Sequence, residues 1–235
     1  MCVVSYSRRE GPQPLADVWN DTGWLTFYEN RRNTTSEVYP SEWFFLKDLL
    51  TEGMSVLDIG CALGGLSSVL SEHLSSFTYT GVDISEEMIR RASVKRPAHQ
   101  FHLIQEGDLS VLGERTYDLV VSLGVLHLSR RWREMIGASW AHTKKSLLMD
   151  LRETSAATIE QEDISYYKVG QLLGNQSKAT LPYNVINAGD ATATLLDRCE
   201  GAVKLQYYGY MAPASEATST PAKSVFMTTY RIDRR

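Results

Sequence analysis

Between Val56 and Gly65 the chain reads Val56-Leu57-Asp58-Ile59-Gly60-Cys61-Ala62-Leu63-Gly64-Gly65, an apolar run that carries one acid and ends among glycines. A β-rich segment entering a glycine-bearing turn, with a helical segment leaving it, is the ground plan of a nucleotide site. Set on the dinucleotide fingerprint, Gly60, Ala62 and Gly65 take the three glycine places. Ala62 puts a methyl group where the backbone must approach a pyrophosphate, and Asp58 adds negative charge beside it. Both features count against NAD or FAD. They suit a ligand that has no phosphate and carries a cationic amino-acid part. The next β-rich run ends in Thr80-Gly81-Val82-Asp83-Ile84-Ser85, close to the interval of ~20 residues that places a carboxylate on ribose hydroxyls. A carboxylate accepts from both hydroxyls at once, and such charge-assisted bonds are strong. An acid at a strand end can equally cap the following helix; its pairing with the glycine turn favours ribose. Ile84 and Met88 are then placed to pack on the base.

Two further segments follow β-rich runs. Glu106-Gly107-Asp108-Leu109 offers two acids, and Ser122-Leu123-Gly124-Val125-Leu126-His127 brings a histidine to the mouth of a strand. His127 is the best-placed general base, of use only where an acceptor must lose a proton. Its apolar neighbours Val125, Leu126 and Leu128 fit plain packing as well, and no acid adjoins it in sequence to orient it.

The first segment resembles motif I of the class I S-adenosylmethionine-dependent methyltransferases, D-x-G-C-G-x-G, through Asp58, Gly60, Cys61 and Gly64, with Ala62 standing where glycine is usual. The resemblance spans roughly residues 53–151 and thins to topology beyond. It implies S-adenosylmethionine as cofactor, with Asp83 on the ribose and an acid after the third strand on the adenine amino group. The order Gly107-Asp108-Leu109 aligns best on Asp108, with Glu106 as its rival. It also implies that Ser122 and Leu123 line the cofactor near the sulfonium. A sulfonium methyl is already electrophilic, so the protein's task would be mainly to orient the acceptor. No Asn/Asp-Pro-Pro-Tyr/Phe sequence follows the fourth strand, which disfavours transfer to an amide or nucleobase nitrogen. Leu151-Arg152 interrupts any acid pair after Asp150, so no catalytic metal is expected. The expected reaction is methyl transfer to a small-molecule acceptor, with the hydroxyl oxygen of a sugar or secondary metabolite favoured and a place in natural-product or glycan assembly. A dinucleotide-dependent reductase and a non-catalytic adenosylmethionine-binding protein are the alternatives.

These residues need a scaffold of alternating strands and helices. Strands are expected near 55–59, 77–82, 101–104, 117–122 and 146–151, with helices near 66–74, 85–94 and 130–143 between them. That alternation predicts an α/β fold with a mostly parallel sheet covered on both faces. Residues 202–210 and 223–232 read as a hairpin, giving a Rossmann-like, seven-stranded sheet with an antiparallel last strand. Residues 1–16 read as a loose arm, and Ser41 as the cap of a helix over 41–50. Residues 1–52 form a helical arm or lid ahead of the methyltransferase domain at 53–235. Within that domain, residues 153–189 read as polar helical pieces capping the acceptor. The acceptor pocket is expected from Trp24, Tyr28, Arg31 and Arg32 on one side and Tyr166, Tyr167, Tyr183 and Asn184 on the other.

Composition sets the remaining bounds. The 235 residues are 43% apolar and 22% charged, enough to fill one core. With 24 Lys and Arg against 28 Asp and Glu the net charge is −4, a poor balance for non-specific nucleic-acid binding. No run approaches the ~18 apolar residues of a membrane span. Cys2, Cys61 and Cys199 are too few and too scattered for a disulfide framework, which suits a cytoplasmic protein. A monomer or homodimer acting on a small molecule, without nucleic acid or membrane, is the expectation.

Overall fold

The computed structural model describes residues 13–29 and 31–235. Most of the arm expected at 1–16, and Cys2 with it, lies outside the described residues. Three helices lead in: α1 (Leu15–Trp19), α2 (Thr22–Glu29) and α3 (Pro40–Leu49). Strands and helices then alternate through β1 (Met54–Ile59), α4 (Gly65–Ser71), β2 (Phe77–Asp83), α5 (Glu86–Lys95), β3 (Gln100–Leu103), β4 (Tyr117–Ser122), α6 (Trp132–Ala141) and β5 (Thr143–Thr154). Short elements follow: β6 (Tyr166–Lys168), α7 (Val169–Leu173), β7 (Thr180–Pro182), β8 (Ile186–Asn187) and α8 (Ala188–Arg198). The chain closes with β9 (Ala202–Pro213), β10 (Thr218–Ser219) and β11 (Ser224–Arg234).

The main sheet runs β3-β2-β1-β4-β5-β11-β9, with β8 beside the end of β5. The first five strands pair in parallel, and β11 is antiparallel to both β5 and β9. This is the expected fold: a mostly parallel seven-stranded path with an antiparallel last strand. Side chains alternate across it. On β4 and β5, Val120, Leu147, Met149 and Leu151 pack on one face with Trp132, Ile136 and Trp140 of α6. Leu119, Val121 and Leu148 face the other way, against Phe45 and Leu46 of α3 and Leu70 of α4. The same two-residue period puts Asp150 and Arg152 on the α3 face, and there both are buried.

Two local expectations are corrected. Helix α3 begins at Pro40, whose missing N–H costs nothing in a first turn. Ser41 is therefore inside the helix, and Glu42 reaches back to accept from the Tyr39 N–H at 3.2 Å. The stretch 153–189 is mostly turns and irregular chain with short strands rather than helical pieces: β6 and β7 pair with β10 in a second sheet, ordered β10-β6-β7, and α7 is its one short helix before α8. Isolated helices that short are not self-supporting, so tertiary pairing with the hairpin loop decided the local structure.

Candidate functional site

Strand β1 delivers the chain into a turn only glycine fits at its start. Gly60 has φ +73°, and a Cβ there would lie 2.4 Å from Val125 Cγ2. The Gly60 and Cys61 N–H groups both donate to the Val82 carbonyl, at 2.8 and 3.0 Å, tying the turn to β2. Ala62 follows in the left-handed region at φ +46°, a conformation L-residues adopt at a cost. Its N–H donates to Asp83 Oδ2 at 2.9 Å, while Oδ1 accepts from the Ser85 N–H at 2.9 Å. Asp83 thus clamps the glycine turn to the start of α5. The capping of α5 falls instead to the Ser85 hydroxyl, which accepts from the Met88 N–H at 3.3 Å. Burial raises the Asp83 carboxyl above the usual carboxylate range, with the backbone donors opposing it.

Asp58 is 7% exposed and accepts from the Tyr79 hydroxyl at 2.5 Å. Burial pushes its carboxyl up to about 6, against the Tyr79 hydrogen bond and the charge of Arg32. A positive partner beside such a group would favour its ionised form further.

Turn, acids and helix starts open on a cavity of about 840 Å³. Asp58, Gly60, Cys61, Ala62, Asp83 and Ile84 line it, and so do Met88, Leu123 and His127. Gly64, Gly107, Asp108, Leu109 and Ser122 do not. Gly64 starts α4, and its carbonyl accepts from Arg96 Nε and Ser67 Oγ, both at 2.8 Å. Gly107 sits in a turn against Arg131. Asp108 is exposed and spends its carboxylate on the Ser110 N–H at 2.8 Å. Leu109 belongs to the core, and Ser122 is buried with its hydroxyl unpartnered among the described residues. Of the two acids offered for the adenine side, Glu106 lines the cavity and Asp108 does not. Glu106 is itself engaged, accepting from the Ser129 hydroxyl at 2.6 Å and the Arg130 N–H at 2.7 Å.

Beyond the turn the wall is aromatic and charged. Trp24, Tyr28, Arg31, Arg32, Tyr167 and Tyr183 line the cavity as expected. Tyr166 does not, and Asn184 is a structural clamp, donating to the Ser129 carbonyl at 2.6 Å. The sequence reading missed the ion pairs behind this wall. Arg32 Nη2 meets Glu42 Oε2 at 2.6 Å, and Arg152 Nη1 meets Asp150 Oδ2 at 2.5 Å. Asp150 Oδ1 also accepts from the Gly124 N–H at 2.6 Å. A signal was present: two charges spaced by two directly after the apolar run Leu147-Leu148-Met149 share one buried face.

His127 is 4% exposed, and its Nδ1 has no hydrogen-bond partner among the described residues. Burial, then the charge of Arg152, hold its imidazole well below the ordinary histidine range, with Asp150 opposing. It stands neutral near pH 7, edge-on to Tyr183 at a ring distance of 5.8 Å. Among the described residues no group of three or more His, Cys, Asp and Glu side chains could hold a metal ion. No helix there is long and apolar enough to cross a membrane.

Residues 57–146 match the family model described as a methyltransferase domain. Over that segment the chain is similar to a methyltransferase domain. That segment holds the glycine turn, Asp58, Asp83, Glu106 and His127. Two curated relatives are similar over part of the chain. Trans-aconitate 2-methyltransferase of Rhodopseudomonas palustris is 30% identical over 87 residues, 37% of this chain and 31% of that protein. Ribosomal protein L11 methyltransferase of Thermotoga petrophila is 35% identical over 80 residues, 34% of this chain and 30% of that one. The matched stretch thus spans about a third of the length of either relative. Solved structures share the fold over nearly the whole chain. The 1,6-didemethyltoxoflavin-N1-methyltransferase of Burkholderia thailandensis, solved with bound 1,6-didemethyltoxoflavin and S-adenosylhomocysteine, has a TM-score of 0.60 at 13% identity, covering 97% of this chain and 94% of that one. The magnesium protoporphyrin IX methyltransferase of Synechocystis, solved with S-adenosylmethionine, has a TM-score of 0.57 at 18% identity, covering 94% and 95%. The fold is that of the class I methyltransferases.

Proposed function

We propose that the protein transfers a methyl group from S-adenosylmethionine to a small-molecule acceptor, with a hydroxyl oxygen as the favoured acceptor atom. The carrying observation is one cavity lined both by the methyltransferase turn with its two acids and by a separate polar aromatic wall. The residues fit the cofactor. Asp83 is clamped with its carboxylate at the cavity and suits ribose; Ile84 and Met88 offer an apolar surface for the base. Asp58, costly to ionise while buried, suits a cationic amino-acid end. A diphosphate fits poorly, because both acids line the cavity at the turn and Ala62 brings a methyl group there. When bound, the cofactor supplies an electrophilic methyl on a sulfonium, and the protein's own work is to place the acceptor and exclude water. Tyr167, Tyr183 and Arg152 offer donors for an acceptor's oxygens. His127, neutral and of low basicity, is a weak proton acceptor, so proximity carries most of the rate. Residues 153–189, through β6, α7 and β7, serve in this reading as the acceptor cap, and α1 and α2 as the lid over the turn.

Calorimetry tests the cofactor. S-adenosylmethionine or S-adenosylhomocysteine should bind while NAD and NADP show no comparable heat; tight NADP binding with silence toward both adenosyl ligands would overturn the reading. Mass spectrometry of a metabolite panel incubated with methyl-labelled cofactor then finds the acceptor. A labelled protein or RNA with no labelled metabolite would refute the small-molecule part.

A further inference from the structure

The wall opposite the glycine turn holds a charge whose hydrogen-bonding capacity is mostly unspent. Arg152 is 5% exposed and lines the cavity. Its Nη1 donates to Asp150 Oδ2 at 2.5 Å and reaches the Leu151 carbonyl at 3.5 Å. Among the described residues, Nε and Nη2 have no protein partner. Neither atom is among the fully buried unpartnered ones, so both keep access to the cavity that Arg152 lines, and the Nε–Nη2 edge is a planar two-donor fork that matches a carboxylate. No protein acid fills it. Both Asp150 oxygens are engaged, by Arg152 and by the Gly124 N–H. Glu42 is taken by Arg32. Tyr167 and Tyr183, rings 4.8 Å apart and edge-to-face, line the same wall, close enough for their hydroxyls to feel the Arg152 charge. Neither hydroxyl has a hydrogen-bond partner among the described residues.

We propose that the Nε–Nη2 edge of Arg152, flanked by the Tyr167 and Tyr183 hydroxyls, is a carboxylate site, so that the ligand beyond the glycine turn is an organic acid rather than a neutral sugar. The carboxylate is the anchor, and another atom of the ligand faces the methyl donor. That role as acceptor rests on the methyl-transfer reading; the carboxylate site itself does not.

The test uses the full chain and matched probes: benzoate, 4-hydroxybenzoate, cinnamate and succinate, each against its carboxamide. They are titrated calorimetrically with and without S-adenosylhomocysteine. At least one acid should bind roughly ten- to a hundredfold more tightly than its amide, the usual worth of charged hydrogen bonds. Arg152→Lys keeps a cation beside Asp150 while losing the fork, and should lose most of that preference with little change in melting temperature. Arg152→Gln should abolish it. The site is refuted if acids and amides bind alike, if no acid binds, if phenyl phosphate outcompetes every acid, or if the preference survives in both variants. Acid preference without S-adenosylhomocysteine binding would sink the methyl-transfer reading and leave the site standing. The converse result would do the opposite.

Discussion

Replacing Asp58 by asparagine should make the protein more stable and a poorer binder of its cofactor. Asp58 ionises near 3.8 when unfolded and near 6 when buried beneath the glycine turn. A carboxyl whose folded value lies above its unfolded value destabilises the folded state once ionised, so the cost is absent below about pH 4 and complete above about pH 6. The difference, at about 1.4 kcal/mol per unit, amounts to roughly 3 kcal/mol at pH 7.5. The asparagine amide escapes that cost but keeps only a neutral hydrogen bond from Tyr79, returning about 1 kcal/mol. The net gain of about 2 kcal/mol corresponds to a rise of roughly 4–8 °C in Tm for a chain of this size. At pH 4.5 most wild-type Asp58 is already protonated, and the gain should shrink to near zero. Scanning calorimetry of both proteins at pH 4.5 and 7.5 measures this directly. Isothermal titration should then show weakened S-adenosylmethionine binding and unchanged adenosine binding. A variant that melts lower at pH 7.5, or by the same amount at both pH values, would show that the Asp58–Tyr79 bond is a net stabiliser.

Asp83→Ala should weaken adenosyl-ligand binding about ten- to a hundredfold. Because Asp83 also holds the Ala62 and Ser85 N–H groups, Tm should fall modestly; unchanged affinity with a collapsed Tm would leave it only a clamp. Gly60→Ala forces a methyl against Val125 at φ +73° and should cost at least about 1–2 kcal/mol, read as a lower urea midpoint together with lost cofactor binding; wild-type values for both would mean that Val125 yields freely. His127→Asn should lower Tm and cofactor affinity together, and the wild-type rate should be flat from about pH 5.5 to 8, since the buried ring stays neutral. A rate step near pH 6.5, with turnover falling by roughly 10² to 10⁴ at intact stability, would restore His127 as a general base. The same depressed value means that wild-type stability falls as pH drops below about 6.5, where the unfolded ring takes a proton and the folded one does not. The asparagine variant should lack that component.

The half of the molecule built on local alternation was readable from the chain. Runs such as Val56-Leu57-Asp58-Ile59 and Tyr117-Asp118-Leu119-Val120-Val121 could only be buried strands, and their turn residues announced the glycine site. Which of the two acids lines the cavity was not readable. Glu106 and Asp108 sit two residues apart, and only the turn geometry sends one to the cavity and the other to the Ser110 N–H. The local structure of 153–189 is not legible for a related reason: β6, β7 and β10 each have two or three residues, and β6 and β10 lie more than fifty residues apart. Leu151-Arg152 reads in the sequence as interrupting any acid pair after Asp150, although the spacing of Arg152 from Asp150 already places both on one face.

The β10-β6-β7 sheet is stitched from two separate excursions of the chain, one after β5 and one inside the β9–β11 hairpin. Its backbone bonds, with Thr218 opposite Tyr167 and Ser219 opposite Tyr166, join those excursions across the cavity wall. A flap on one stalk can swing about a single hinge; a flap on two cannot. A ligand admitted past Tyr167 would need either both stalks to flex in concert or the β10–β6 seam to unzip. The two routes leave different traces in amide hydrogen exchange. Concerted flexing keeps the seam amides protected while both stalks exchange, whereas unzipping releases the seam first. Any opening of this wall would thus depend on the C-terminal hairpin as much as on the segment that carries the tyrosines, and shortening the loop at 214–223 should then alter ligand entry without touching a residue of the glycine turn.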